Sequence, residues 1–243
     1  MNCVKRAAAL LLVLACVFTG AAAETTEQEE VLRFYDGSVF FGDSITASLQ
    51  AYISYLHKHG SNILSGVTFV STNSITLYEG SRTSVGSVRR FYYRGIPNSL
   101  YAITKIIKPE KVFILLGMND PVGIKIDKAI GWVEEMISTL AVYSPGTQVC
   151  FFSETPVTLQ YCTEKDRPEY QNQVDEYNRR LRETCENNGA EYIEIAEAMK
   201  GEDNYLNPDY ASDRMCHLNP EGLKAWIRCL EEYARSRTGK PEE

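Results

Sequence analysis

The sequence predicts an α/β fold, with a parallel sheet sandwiched between layers of helices. Two observations predict it. Short apolar runs of strand length alternate along the chain with longer segments of helical period. The chain also has 243 residues of ordinary soluble mix, 44% hydrophobic and 23% charged. That suffices for one domain with a full core, and no repeat, low-complexity segment or linker divides it.

The N-terminus reads as an address. Lys5 and Arg6 form a short basic region, and Ala7 to Phe18 is an apolar run. Ala21-Ala22-Ala23 then supplies small residues just before Glu24. The pattern is that of a cleaved export signal over residues 1–23 and predicts a secreted protein. An uncleaved N-terminal anchor is the alternative. Residues 24–37 are polar and acidic without a clear apolar period, and read as a leader draped over the domain at 38–238.

The elements of that domain follow in order. Ser38-Val39-Phe40-Phe41 is a short buried strand ended by Gly42-Asp43-Ser44. Ile45 to His59 carries apolar residues at helical spacing, and Gly60 stops it. Val67–Val70 is a second strand, and residues 76–96 have no readable period. Pro97 to Ile107 suits a helix. Lys111–Leu116 is the clearest buried strand, closed by Gly117-Met118-Asn119-Asp120. Ile126–Tyr143 is an amphipathic helix, and Gln148–Phe152 is a fourth strand. Residues 154–166 read as loop, Glu169–Asn188 as a long charged helix and Ala190–Ile195 as a fifth strand. A polar loop over 201–218 precedes the last helix, Pro220–Arg235, with Asn219 as its N-cap.

Ligands of such sheets gather at the carboxyl ends of the strands. Asp43-Ser44 and Asn119-Asp120 both stand just past a strand's carboxyl end. A serine hydroxyl needs a base to take its proton. At a strand-to-helix turn, the helix's free N–H groups face the charge that develops on a substrate. The chain has three histidines. His57 and His59 lie near the far end of the helix Ser44 opens, roughly 20 Å away at 1.5 Å per residue. His217 remains as the base, with Asp213 placed to orient it.

Charge and cysteines narrow the class. Removing Lys5 and Arg6 takes the net charge from −7 to −9. An acidic surface repels phosphate, so neither nucleic acid nor stable association with an anionic membrane is expected. The run Arg89–Arg94 is a local exception, basic and aromatic together, and reads first as a partly buried strand or loop with solvated arginines. Five cysteines remain after cleavage, Cys150, Cys162, Cys185, Cys216 and Cys229. None forms a C-x-x-C pair, so zinc-ribbon and thioredoxin-type sites have no support. An odd count leaves at least one thiol unpaired in a monomer.

Phe41-Gly42-Asp43-Ser44-Ile45-Thr46, Gly117-Met118-Asn119-Asp120, and Asp213 with His217-Leu218-Asn219-Pro220-Glu221-Gly222 together closely resemble the GDSL or SGNH hydrolase superfamily. The motifs occur in the family's order and span nearly the whole mature chain. The resemblance implies a flavodoxin-like three-layer α/β/α sandwich with a mostly parallel five-stranded sheet, and no metal or organic cofactor. It implies Ser44 as nucleophile and, through its N–H, one oxyanion donor. Asn119 would be a second donor and His217 general base, then acid; Gly42, Asp43, Gly117 and Asp120 support the motifs.

Two departures stand out. The family places its aspartate three residues before the histidine, where this chain has Arg214, and Asp213 is one residue further. The family's glycine block is replaced by Ser71-Thr72-Asn73-Ser74, so the remaining donor falls to the backbone N–H of Asn73 or Ser74. Losing that donor would cost roughly 3–4 kcal/mol. The expected activity is hydrolysis of small O-acyl esters, O-acetyl groups on carbohydrate foremost, with a small-molecule or glycan ester as partner. Phe91, Tyr92, Tyr93 and Tyr161 are candidate lining residues. The alternatives are a non-catalytic carbohydrate-binding protein on the same fold, and acyl transfer to a sugar by the same residues.

Overall fold

The computed structural model describes residues 27–84, 89–120 and 125–239; the export-signal reading over 1–23 lies outside them. Five strands form one parallel sheet: β1 (Val39–Gly42), β2 (Thr68–Ser71), β5 (Lys111–Leu115), β6 (Gln148–Phe152) and β7 (Glu191–Ile193). Their spatial order is β2-β1-β5-β6-β7. Counting only these five, it is the 2-1-3-4-5 order of the flavodoxin-like sheet, whose switch point falls between β1 and β5.

Strands buried on both faces read as continuous apolar runs, and each face has its own core. Phe40 aligns with Phe69 and Phe113 in the flanking strands, and these rings pack with helices α1 (Ser44–Lys58) and α7 (Pro220–Thr238). Phe41, Ile114 and Phe151 point the other way. They meet α3 (Leu100–Ile107), α4 (Ile126–Tyr143) and the C-terminal half of α6 (Tyr170–Asn187).

The structure corrects several element readings. Residues 27–32 are helical and Arg33–Tyr35 form a 3-10 turn. Val31, Leu32 and Tyr35 enter the core and the Tyr35 hydroxyl donates to the Leu230 carbonyl at 2.8 Å, so this stretch does more than drape. The unreadable 76–96 stretch holds a one-turn helix, α2 (Leu77–Gly80), with a capping box between Thr76 and Glu79. It also begins the small antiparallel hairpin of β3 (Phe91–Tyr93) and β4 (Ile96–Asn98). Pro97 therefore lies in a strand, and α3 starts after Ser99, whose hydroxyl caps it. The 154–166 loop contains α5 (Leu159–Glu164), capped by Thr158. The last helix runs three residues past Arg235, to Thr238, and ends at Gly239 in the left-handed conformation.

The described cysteines Cys150, Cys162, Cys185, Cys216 and Cys229 are all free and buried. Within the Arg89–Arg94 run, Arg90 is buried rather than solvated. No described helix is long and apolar enough to cross a membrane.

Candidate active site

Ser44 is the first residue of α1, so its N–H has no acceptor within the helix. Asp43 caps that helix: its carboxylate accepts the Ile45 N–H at 2.9 Å. Gly42 is required by a close approach. A Cβ there would stand 2.0 Å from Thr46 Oγ1 and 3.0 Å from the Leu115 carbonyl. The first turn of α1 thus rests directly on the ends of β1 and β5, and this fixes the serine.

His217 arrives from the far end of the chain. Its Nε2 lies 2.8 Å from Ser44 Oγ, and its Nδ1 is hydrogen-bonded to Asp213. The loop that holds it closes as a hairpin: Ala211 bridges Leu218, and Ser212 N–H donates to the His217 carbonyl at 2.8 Å. Asn219 locks this loop to α7. Its side-chain oxygen accepts the Glu221 and Gly222 N–H groups, and its amide donates to the Asp209 and Ala211 carbonyls.

The four-residue spacing from Asp213 to His217 is absorbed in the tip of that hairpin. Asp213 Oδ1 accepts the backbone N–H groups of Met215, Cys216 and His217 at 2.8, 3.0 and 3.1 Å, leaving Oδ2 for the imidazole. Arg214, at the position expected of the aspartate, points instead to Glu164 at 3.4 Å. Burial alone would raise the Asp213 carboxyl, but the hydrogen bonds from the ring and from the Met215 and His217 amides outweigh it and hold it low.

The glycine-free turn after β2 is also resolved. Ile75 N–H bonds back to the Thr72 carbonyl at 3.2 Å, with Asn73 and Ser74 between them. Ser74 takes φ +58°, the left-handed conformation that glycine usually supplies, at a cost of about 1–2 kcal/mol. Arg89 Nη1 braces it, donating to the Ser74 carbonyl at 2.6 Å. Asn73 lines the same groove as Ser44, Asp213 and His217, and Ser74 does not.

Asn119 is tied to the residue before the serine, its amide donating to the Asp43 carboxylate. An amide has two N–H groups, so one is committed to Asp43. Asp120 ties the loop after β5 to α2 by accepting the Leu77 and Tyr78 N–H groups at 2.7 and 3.3 Å. Glu154, unnoticed in a stretch read as loop, lies fully buried under this loop; a Cβ on Gly117 would meet its carboxyl at 3.0 Å.

Burial is the leading cause of the raised carboxyl pKa values here. It pushes Asp43 from 3.8 up to about 6 against the Ile45 N–H and His217. It does the same to Asp120, also to about 6, and holds Glu154 well above the carboxylate range, with Asp43 and Asp120 adding to the effect. Raised carboxyls stabilise the fold below their unfolded value and lose that contribution as pH rises through the folded one. Unfolding free energy should therefore decline between about pH 4 and pH 6. For Asp120 the shift corresponds to about 3 kcal/mol. Asp213, held low, acts below that window. Urea midpoints across it should fall in the wild type and fall less in Asp120→Asn; a midpoint that climbs contradicts this account.

The groove beside Ser44, of about 430 Å³, is lined by Ser44, Ala47, Ser48, Ala51, Asn73, Ser212, Asp213 and His217. None of Phe91, Tyr92, Tyr93 and Tyr161 lines it; Phe91 packs on Phe41 and Tyr161 on Tyr170. His57 and His59 bond the Ile63 and Tyr55 carbonyls at the other end of α1. Among the described residues no cluster of three or more His, Cys, Asp or Glu side chains is arranged to hold a metal ion. A hydroxyl, an imidazole and a carboxylate in series at a helix N-terminus make a proton relay beside an anion-stabilising edge.

No curated relative matches the chain. Among solved structures it resembles a GDSL-like lipase from Bacteroides thetaiotaomicron, at 17% identity and TM-score 0.61 over 90% of this chain and 98% of the other. It also resembles a mutant acetylxylan esterase from Geobacillus stearothermophilus, at 15% identity and TM-score 0.55 over 81% and 93%. A third is the periplasmic domain of a lipopolysaccharide acetyltransferase from Salmonella ser. Paratyphi A, at 16% identity and TM-score 0.53 over 85% and 84%. These likenesses show the fold. The model of the GDSL-like lipase/acylhydrolase family matches residues 40–225, from β1 into the last helix, and the chain belongs to that family.

Proposed function

We propose that the protein is an exported serine esterase that removes small O-acyl groups, acetyl foremost, from carbohydrate. The observation that carries the reading is the unbroken hydrogen-bonded series Ser44–His217–Asp213 opening onto an accessible groove. Ser44 Oγ attacks the ester carbonyl carbon while its proton passes to His217 Nε2, and Asp213 balances the imidazolium. The oxyanion meets the Ser44 and Asn73 N–H groups and the second N–H of the Asn119 amide. Breakdown expels the sugar hydroxyl, which takes the proton from Nε2. Water, giving a proton to His217, then attacks the acyl-enzyme and releases the acid and free Ser44. The acetylated-polysaccharide chemistry named for the Geobacillus neighbour supports the choice of acyl group, and the N-terminal pattern of residues 1–23 supports export.

The purified protein should turn over p-nitrophenyl acetate, and a fluorophosphonate should add to the peptide carrying Ser44. N-terminal sequencing of the exported form should begin at Glu24. Turnover that persists in Ser44→Ala, or a label on another residue, would refute the assignment. Transfer of the acyl group to a sugar hydroxyl is a second reading, favoured by the open groove and the acetyltransferase-domain neighbour. It shares the acyl-enzyme and is recognised by transesterified product when acceptor sugars are added.

A further inference from the structure

The helix face that lines the groove beside Ser44 runs on beyond it. Ser44, Ala47, Ser48 and Ala51 line its floor from a single face of α1. With 3.6 residues per turn, the row continues one turn later at Tyr55, about 16 Å along the helix from Ser44. Tyr55 is 55% exposed, so the core does not account for it. Its ring is nonetheless held in place. It lies nearly parallel to Tyr52, with centroids 6.4 Å apart and 14° between planes. The His59 ring stands 4.1 Å from it, anchored through Nδ1 to the Tyr55 carbonyl at 2.8 Å. Tyr52 in turn packs on the core.

The groove beside Ser44 selects its occupant by chemistry. Its floor is alanine and serine, leaving room for bulk above it. Asn73 and Ser212 also line it, offering an amide and a hydroxyl to a ligand's hydroxyl groups. No lysine or arginine lines it, which disfavours a phosphorylated or sulfated chain. Being open and polar-walled, it gives a long acyl chain little apolar surface to bury. A neutral polymer with hydroxyls at its edges and C–H groups on its faces suits it. The C–H face of a pyranose rests against the electron-rich face of an aromatic ring, the contact Tyr55 offers.

We propose that Tyr55 is a remote carbohydrate subsite: the O-acylated sugar sits at Ser44 and the glycan runs along the small-residue face of α1 onto the tyrosine ring. The inference rests on the esterase reading and names its substrate as an oligosaccharide or longer. Binding energy gathered at Tyr55 would position the ester at Ser44.

The test is kcat/KM for p-nitrophenyl acetate and for acetylated xylo- and chito-oligosaccharides of increasing length, in wild type, Tyr55→Ala and Tyr55→Phe. Wild-type kcat/KM should rise with length in at least one series. The ratio of the longest oligosaccharide to p-nitrophenyl acetate should fall about tenfold in Tyr55→Ala, through KM, as expected from losing one stacking contact. Tyr55→Phe should keep it. No length dependence in either series, or a ratio indifferent to Tyr55→Ala, overturns the subsite. So does an effect of Tyr55→Ala confined to long-chain p-nitrophenyl esters, which would mark an acyl-chain site. Loss of the esterase reading shows separately, as no turnover of p-nitrophenyl acetate by wild type. In that event calorimetric titration of unacetylated oligosaccharides into wild type and Tyr55→Ala decides the subsite, and binding that is absent or equal in both overturns it.

Discussion

Ser44→Ala should lower kcat on p-nitrophenyl acetate by about 10⁶-fold, His217→Ala by a similar factor, and the double variant by no more than either. The expectation follows from the series of bonds. The Ser44 hydroxyl is a nucleophile only while Nε2, 2.8 Å away, takes its proton. An imidazole without the hydroxyl has nothing to activate. Removing either empties the relay, so the second removal finds nothing left to lose. Whatever rate remains over water comes from the oxyanion donors and binding. Steady-state kinetics of the three variants decide it. Losses that multiply would show two groups acting independently and contradict the relay. Neither side chain is fully buried, so unfolding midpoints should stay near the wild type and separate lost chemistry from lost fold.

Asp213→Asn is expected to cost about 10⁴-fold in kcat with little change in the loop. An asparagine oxygen can still accept the three amides of residues 215–217 that hold the hairpin tip. The atom facing the imidazole then becomes an amide N–H, a donor where an acceptor stood. Nδ1 must become the acceptor, which places the ring proton on Nε2 and leaves Ser44 no base. Kinetics beside backbone NMR shifts of 211–218 test this. A variant that keeps its rate would show that Asp213 serves the turn alone. One whose loop shifts widely would show instead that the oxygen cannot hold the tip without its charge.

How far these features can be read from residues alone depends on how local their causes are. β5 is legible because a strand covered on both faces is apolar throughout, and Ser44 because a strand-to-helix turn is a contiguous event. The region from Thr76 to Asn98 is not. A four-residue helix and two three-residue strands are too short to express a period, and α2 depends on Asp120, more than forty residues away, to satisfy its first amides. The link of Asn119 to Asp43 depends on the parallel register of β1 and β5, which no spacing reveals. Glu154 was hidden for the same reason, since a carboxyl in a polar stretch reads as solvated until tertiary packing covers it. The row from Ser44 to Tyr55 was written in the helical period, but on the face conventionally assigned to solvent.

The packing of residues 27–35 fixes where the chain enters and leaves the molecule. Phe34 covers Lys111 at the start of β5, Tyr233 and Arg237 reach Glu191 at the start of β7, and Glu27 pairs with Arg235 at 2.7 Å. Both ends of the described chain therefore leave from the amino edge of the sheet, while Ser44 and His217 occupy the carboxyl edge. A solid support coupled at either of these two ends would sit behind the molecule. The molecule would then present its reactive edge outward to a polymer too large to diffuse to it.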